Sequence, residues 1–337
     1  MKISPQHTID EIAAAAGVSK ATVSRVMNGT ATVSDERRKK VEATIKKMNY
    51  RPNLNARKLA GGTGGSIALV LEESTEEFFL NPFWKSVVEG FIEKASSSNL
   101  HPVLFFHSKS QSDEALVDAL VRGNFDGVAI FGWHRDIKVL EKFVPNNMVV
   151  VFGGNQGSSN RFTYVGVENI AGGKLATESL IEKGCSHIAV ITGDLSVQSA
   201  RERLKGYKDA LKAAGIPIRE NLILEGKFTK ESAELALAKF LKKGIKFDSV
   251  FAANDVMALA ALRTLQAHGL AVPDKIKLIG FDGSDLARTS SPTIATIAQP
   301  SHELGSMVAG NLVKALNREA ISNIQLNLNL IAGGTLN

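Results

Sequence analysis

Between Ser19 and Arg25 the chain sets hydroxyls and cations at helical spacing. Ser19, Lys20, Ala21, Thr22, Ser24 and Arg25 would face outward from a short helix whose inward positions are Val23, Val26 and Met27. The free amides and positive dipole at the start of such a helix suit an anion, and a phosphate is the natural occupant. On a DNA duplex, Lys20, Ala21 and Arg25 would read base edges in the major groove, while Ser19, Thr22 and Ser24 would hold phosphates. Patterns for covalent or phosphoryl chemistry do not accompany them. Leu71-Glu72-Glu73-Ser74 lacks the G-x-G-x-x-G turn, Gly173-Lys174-Leu175 lacks the Ser or Thr of a P-loop, and neither G-x-S-x-G nor a metal-spaced histidine pair occurs. His101 and His187 are lone histidines preceding strands. An enzyme on a nucleotide-binding α/β fold is the alternative these absences weigh against, and no cofactor or metal is expected.

The elements that must position the cations are short helices. Thr8 stands three residues before Glu11, the spacing of a capping box, and Ile9, Ile12, Ala13 and Ala16 form one apolar stripe behind it. Gly17 suits the left-handed turn that ends this helix, and Ser19 offers the N-cap of the next. Two short helices joined by Gly-Val-Ser describe a helix-turn-helix. Ser34 opens a third helix with Asp35 and Glu36 in its first turn, and Val41, Ile45 and Met48 turn inward to pack it on the other two.

The formal charge of +6 is unevenly divided. Residues 1–62 carry 12 Lys or Arg against 5 Asp or Glu, whereas residues 63–337 carry 28 against 29. A basic module on a neutral body is the footprint of a polyanion binder. The single cysteine, Cys185, excludes an internal disulfide and fits a reducing compartment as a packed thiol. The N-terminus lacks the apolar core of a signal peptide, and no apolar run approaches a membrane span, so a cytoplasmic protein is expected.

From Ser66 onward, short apolar runs alternate with helical patterns. Buried strands are expected at Ser66–Leu71, Pro102–His107, Gly127–Phe131 and Met148–Phe152, then at Tyr164–Val167, His187–Thr192, Leu222–Leu224, Ser249–Ala252 and Lys277–Gly280. Helices are expected at Phe83–Ser96 and Ser112–Arg122, and near 170–183, 199–214, 230–243 and 255–268. Two successive strand–helix series imply two doubly wound parallel sheets, with a ligand cleft at the carboxyl ends of the strands between two lobes.

GVSKATVSRVMNG, followed by NYRPN and NARKLAG, resembles the lactose and galactose repressor family of bacterial transcription regulators. NPFWKSVVEGFIE, DGVAIFG, SARERLKGYKDAL, AANDVMALAAL, IGFDGS and TIAQP extend the resemblance through a body like periplasmic sugar-binding proteins. The resemblance implies a helix-turn-helix domain at 1–52, a hinge helix and linker at 53–65, and an effector-binding and dimerisation domain at 66–337. The first lobe would be 66–161 plus a crossover, and the second 162–292. It further implies that Asn53–Gly61 orders on operator DNA, with Ala56 the small hinge residue and Leu59 a minor-groove wedge. Thr8, Asn28, Tyr50 and Asn53 complete the residues expected at DNA. Gly61, Gly62, Gly64 and Gly65 make the linker looser than the family pattern.

For the effector, the resemblance places Arg203, Asn254 and Asp282 in the cleft. Gln299 either touches ligand or steadies the crossover, and Trp133 either stacks on a sugar face or packs the lobe, as do Phe78, Phe79 and Phe83. Where many members have an acidic residue closing the fourth strand, this chain has Phe152-Gly153-Gly154. The implied function is an effector-responsive repressor of sugar uptake or catabolism genes that binds a near-palindromic operator, with a purine or nucleoside as the alternative effector. With no leucine-heptad extension before Asn337, a homodimer is expected and not a tetramer.

Overall fold

The structure is a computed structural model, and it describes residues 7–27, 33–50, 65–107, 111–154, 159 and 161–337. The chain divides into two compact units, Met1–Gly64 and Gly65–Asn337.

In the first unit, α1 (Ile9–Ala16), α2 (Lys20–Met27) and α3 (Asp35–Lys47) surround a small core of Ile12, Ala13, Ala16, Val23, Val26 and Val41. The capping box forms as its spacing predicts. Thr8 Oγ1 accepts from the Glu11 amide and the Glu11 carboxylate accepts from the Thr8 amide, both at 3.3 Å. Gly17 ends α1 at φ 62°, a conformation that lets the chain turn sharply into α2. Ser34 precedes α3, but its hydroxyl makes no capping bond.

The second unit opens with β1 (Ser66–Leu71), α4 (Thr75–Leu80), α5 (Pro82–Ser97), β2 (His101–Phe106), α6 (Asp113–Arg122), β3 (Gly127–Phe131), α7 (Ile137–Phe143), β4 (Val149–Gly153) and β5 (Thr163–Val167). It continues with α8 (Asn169–Glu182), β6 (Ile188–Thr192), α9 (Gln198–Ala213), β7 (Ile223–Glu225), α10 (Lys230–Lys242), β8 (Ser249–Ala252), α11 (Asp255–Ala267) and β9 (Lys277–Asp282). The last elements are α12 (Asp285–Thr289), β10 (Ala295–Ala298), α13 (Ser301–Leu316), β11 (Ile324–Leu326) and β12 (Asn329–Ile331). Two six-stranded sheets result, ordered β11-β5-β4-β3-β1-β2 and β12-β10-β9-β8-β6-β7. Every pairing is parallel except β12 against β10.

Two sequence expectations need correction. The lobe boundary does not fall between 161 and 162, because β5 pairs with β4 in the first sheet; the chain first crosses after Val167, returns after β10, and crosses again between β11 and β12. Strand β2 is not buried. It lies at the edge of its sheet, and Val103 and Leu104 are each 40% exposed, so an apolar run there does not mark an interior strand.

Packing within the second lobe is close where it matters for the site. A Cβ at Gly173 on α8 would lie 2.2 Å from the Arg203 carbonyl oxygen, and one at Gly206 on α9 would lie 2.1 Å from that of Ile170. Only glycine permits the close α8–α9 approach at Arg203. Among the described residues no helix is long and apolar enough to cross a membrane.

Candidate functional site

The outward face of α2 carries Lys20, Ala21 and Arg25 exposed, with Thr22 and Ser24 half-buried beside them and Ser19 exposed at the start. The Ser19 hydroxyl accepts from the Thr22 amide at 3.2 Å and lies 2.9 Å from the Thr22 hydroxyl, so both residues serve the helix end as well as facing outward. Lys20 Nζ donates to Asp10 Oδ2 at 2.9 Å across the turn. That pair is exposed on both sides and contributes little, so it does not bar Lys20 from a base edge. Thr8 is exposed with its hydroxyl in the α1 cap, and Tyr50 is half-buried against the core, where burial raises its phenol above the ordinary range. Thr22, Arg25, Ser34 and Arg37 line one polar recess beside the helix. Asn28, Asn53, Ala56 and Leu59 lie outside the described residues.

The second site is a cleft of about 740 Å³ at the carboxyl ends of both sheets. Its second-lobe wall is a buried polar network. Arg203 donates from Nε to Asn169 Oδ1 at 3.0 Å and from Nη1 to the Ala253 carbonyl at 2.6 Å; Nη1 also lies 3.8 Å from Asp282 Oδ1. The guanidinium sits 3.7 Å from the Phe281 ring centroid, with Phe228 at 5.9 Å. Those bonds leave Nη2 for a ligand. Gln299 donates to Asp282 Oδ1 at 2.6 Å. Asn169 and Gln299 sit just past β5 and β10, so two of the three lobe crossovers grip the Arg203–Asp282 pair directly.

Burial dominates the electrostatics. It lowers Arg203 to about 10 against the opposing pull of Asp282, and it raises Asp282 to about 7 despite Arg203. Neighbouring Asp255, which accepts from the Thr296 hydroxyl and the Ser284 amide at 2.7 Å, is raised by burial to about 6. Asp282 also holds φ at 119°, a backbone region that side chains rarely adopt, in the buried wall of the cleft.

Asn254 lines the cleft but is already engaged. Its Oδ1 caps α11 by accepting from the Met257 amide at 2.8 Å, and its Nδ2 donates to the Phe228 carbonyl at 3.1 Å. One N–H and one lone pair remain for a ligand. Sequence reasoning missed Asn169 and Phe228; Asn169, the first residue of α8, carried no ligand signal of its own.

The first-lobe wall has an apolar stretch beside the polar residues of α4. Phe83 and Trp84 from α5, Phe131, Gly132, Gly153 and Gly154 line it. A Cβ at Gly153 would lie 1.8 Å from the Phe131 ring, so glycine is what lets that ring lie across the strand end. The stacking role for Trp133 does not hold in this conformation. Although Trp133 lines the wall, it is 2% exposed, its ring belongs to the core with Val70, Leu116 and Ile130, and the Arg135 guanidinium lies 5.8 Å over it. Phe78 packs edge-on against Phe106, Phe79 is 79% exposed, and Phe83 is the half-buried aromatic facing the cleft.

One charged cluster of the first lobe is turned inward. Glu72, fully buried at the end of β1, accepts from the His134 amide at 3.0 Å and lies 3.5 Å from Arg135 Nε. Arg135 in turn pairs with Asp113 and donates to the Gln111 carbonyl. This cluster pins the segment after β3 that forms the wall.

Residues 8–53 match the lacI family of bacterial regulatory proteins, and residues 177–336 match a periplasmic binding protein-like domain. The HTH-type transcriptional regulator CelR of Thermobifida fusca is 35% identical over 95% of this chain and 94% of its own. A solved CelR–cellobiose complex superposes with a TM-score of 0.75 at 33% identity, covering 98% of this chain and 100% of that one. The lac repressor dimer bound to operator and the anti-inducer ONPF gives 0.85 at 28% identity, covering 98% and 99%.

Proposed function

Since the chain belongs to the lacI family of bacterial regulatory proteins and is a DNA-binding transcriptional regulator, not an enzyme, we propose that its effector is a neutral carbohydrate of disaccharide size. The observation that carries this is the pairing of walls: a buried Arg–Asp–Gln–Asn network faces a half-buried phenylalanine across about 740 Å³. That volume is within the range of sites that enclose drug-sized ligands. Charge neutrality follows from the network, since one guanidinium is already matched by one carboxylate and a phosphate would want more positive charge. Asp282 accepts ring hydroxyls, Arg203 Nη2 and the spare Asn254 N–H donate to them, and Phe83 covers an apolar sugar face. The CelR relative supports the class, since its structure was solved with cellobiose.

The regulator acts in the cytoplasm as a homodimer on a near-palindromic operator. Two copies of a module that reads only a few base pairs supply the affinity one lacks. Lys20, Ala21 and Arg25 read bases, Ser19, Thr22 and Ser24 hold phosphates, and Leu59 in the 53–61 hinge wedges a central base step. Effector binding closes the lobes and changes operator affinity only through its differential affinity for the two arrangements. Calorimetry with cellobiose tests the effector reading. Saturable heat in wild type and none in Arg203→Ala supports it; equal affinity in the two, or a purine binding where cellobiose does not, overturns it. Unchanged bending of the operator by Leu59→Ala in a ring-closure assay would remove the wedge.

A further inference from the structure

The charges lining the cleft include carboxylates on the first lobe and exposed cations on the second. On the first lobe, Glu76 is exposed and Glu77 half-buried in α4, the short helix capped where the Ser74 hydroxyl accepts from the Glu77 amide at 3.1 Å. On the second lobe, Lys227 precedes α10 and Arg263 lies on α11, both exposed and both lining the same cleft. Among the described residues none of these four makes an ion pair. The other second-lip charges include Asp194, Glu231 and Lys230, the last 3.9 Å from Glu234.

Lys227 is presented from a strained turn. It and Phe228 hold φ at 52° and 65°, and the turn is tied down by the Asn254 bond to the Phe228 carbonyl and by the Gly226 amide on the Thr192 carbonyl. Residues outside glycine reach such φ values rarely, and they keep them where the surroundings hold them. Here the ties hold an exposed cation on the second-lobe side of a cleft that Glu76 and Glu77 line from the first lobe.

We propose that Glu76 and Glu77 on one lip and Lys227 and Arg263 on the other are closing charges of the cleft. They pair across the mouth when the lobes come together and set effector affinity without touching the effector. The proposal rests on the closing cleft of the functional reading, but not on which ligand fills it. A neutral ligand gives no reason for salt-dependent binding, whereas lips of opposite charge do, because screening shortens from about 8 Å at physiological salt to about 3 Å at 1 M.

The test follows the lobes with and without ligand. Spin labels at Val121→Cys and Leu235→Cys, exposed positions on helices of opposite lobes, report the lobe distance, while Cys185 is buried. In the ligand-free full chain, lowering salt from about 1 M to about 0.05 M shifts the distance distribution toward a closed population. Glu76→Lys/Glu77→Lys abolishes that shift, and adding Lys227→Glu/Arg263→Glu restores it. With cellobiose as probe, wild-type affinity rises about tenfold as salt is lowered over the same range, and the Glu76→Lys/Glu77→Lys variant is about tenfold weaker than wild type at low salt. A ligand-free distribution that ignores salt, or a quadruple variant that fails to recover the shift, overturns the proposal. A shift that persists in a protein that binds no cellobiose supports the closing charges and counts against the sugar reading alone.

Discussion

The two walls of the cleft use their charged residues in opposite ways. In the second lobe, Arg203 and Asp282 face the cavity and are held from behind by Asn169, Gln299 and the Ala253 carbonyl. In the first lobe, Arg135 bridges the buried carboxylates of Glu72 and Asp113 behind the wall, whose apolar part is the half-buried Phe83 with glycine beside it. Both arrangements keep buried charge paired, as burial demands. The difference is directional: one network lines the cavity, the other ends at the segment that shapes the opposite wall. A polar wall fixes the orientation of hydroxyls, and an apolar wall that can close on them adds affinity without imposing a second orientation.

The largest expected effect breaks the polar wall. Arg203→Ala removes charge-assisted bonds, each contributing about 1.5–3 kcal/mol, and strands Asp282; effector affinity should fall at least about a hundredfold. Arg203→Lys should rescue little of it, since an ammonium cannot reproduce the fork that reaches Asn169 and Ala253 together. Calorimetry on both variants would separate loss of charge from loss of geometry.

Next is the apolar wall. Phe83→Ala should weaken effector binding about tenfold, from lost apolar contact, and leave its pH dependence intact. If the loss equalled that of Arg203→Ala, the division of labour between the walls would be wrong.

The pH dependence follows from Asp282, whose ionisation burial delays to about 7. A ligand that donates hydroxyls to the carboxylate prefers it ionised, so affinity should rise about tenfold between pH 6 and pH 8. Folding stability moves the other way. The folded state holds the proton more tightly than the unfolded chain, so this group's contribution is complete below about 4 and is lost as pH rises through about 7. Asp282→Asn should flatten both profiles.

The smallest effect is on the DNA face. Arg25→Ala should cost about 1–3 kcal/mol on cognate operator and relax one position of the site, whereas Asp10→Ala, which frees Lys20 from an exposed pair, should change affinity by less than about 1 kcal/mol. Equal losses on cognate and random DNA for Arg25→Ala would contradict base reading.

Local rules made part of this legible in the sequence. The Thr8–Glu11 box, the Gly17 turn and β1, β3 and β8 fell where cap chemistry and apolar runs put them, because each depends on neighbours in sequence. Sheet membership did not. Tyr164–Val167 reads the same whichever sheet it joins, and only pairing with Val151–Gly153 assigns it to the first. Likewise Val103 and Leu104 look interior until the strand proves to have one neighbour. At the site, Arg203 and Asp282 were reached through the family resemblance, but Asn169 and the inward Glu72–Arg135 cluster depend on contacts between segments more than 30 residues apart. The burial of Trp133 is of the same kind, since nothing in the segment after β3 says which side of the wall receives the ring.

The central claim is that the Arg203–Asp282 pair converts a sugar in the cleft into a change at the operator. Its most direct test is fluorescence anisotropy of labelled operator DNA, titrated with wild type and with Asp282→Asn, each with and without saturating cellobiose. The account predicts equal operator affinity for the two proteins without sugar, a shift of about tenfold or more on adding sugar to wild type, and no shift in Asp282→Asn. A variant that responds to cellobiose as wild type does would contradict it.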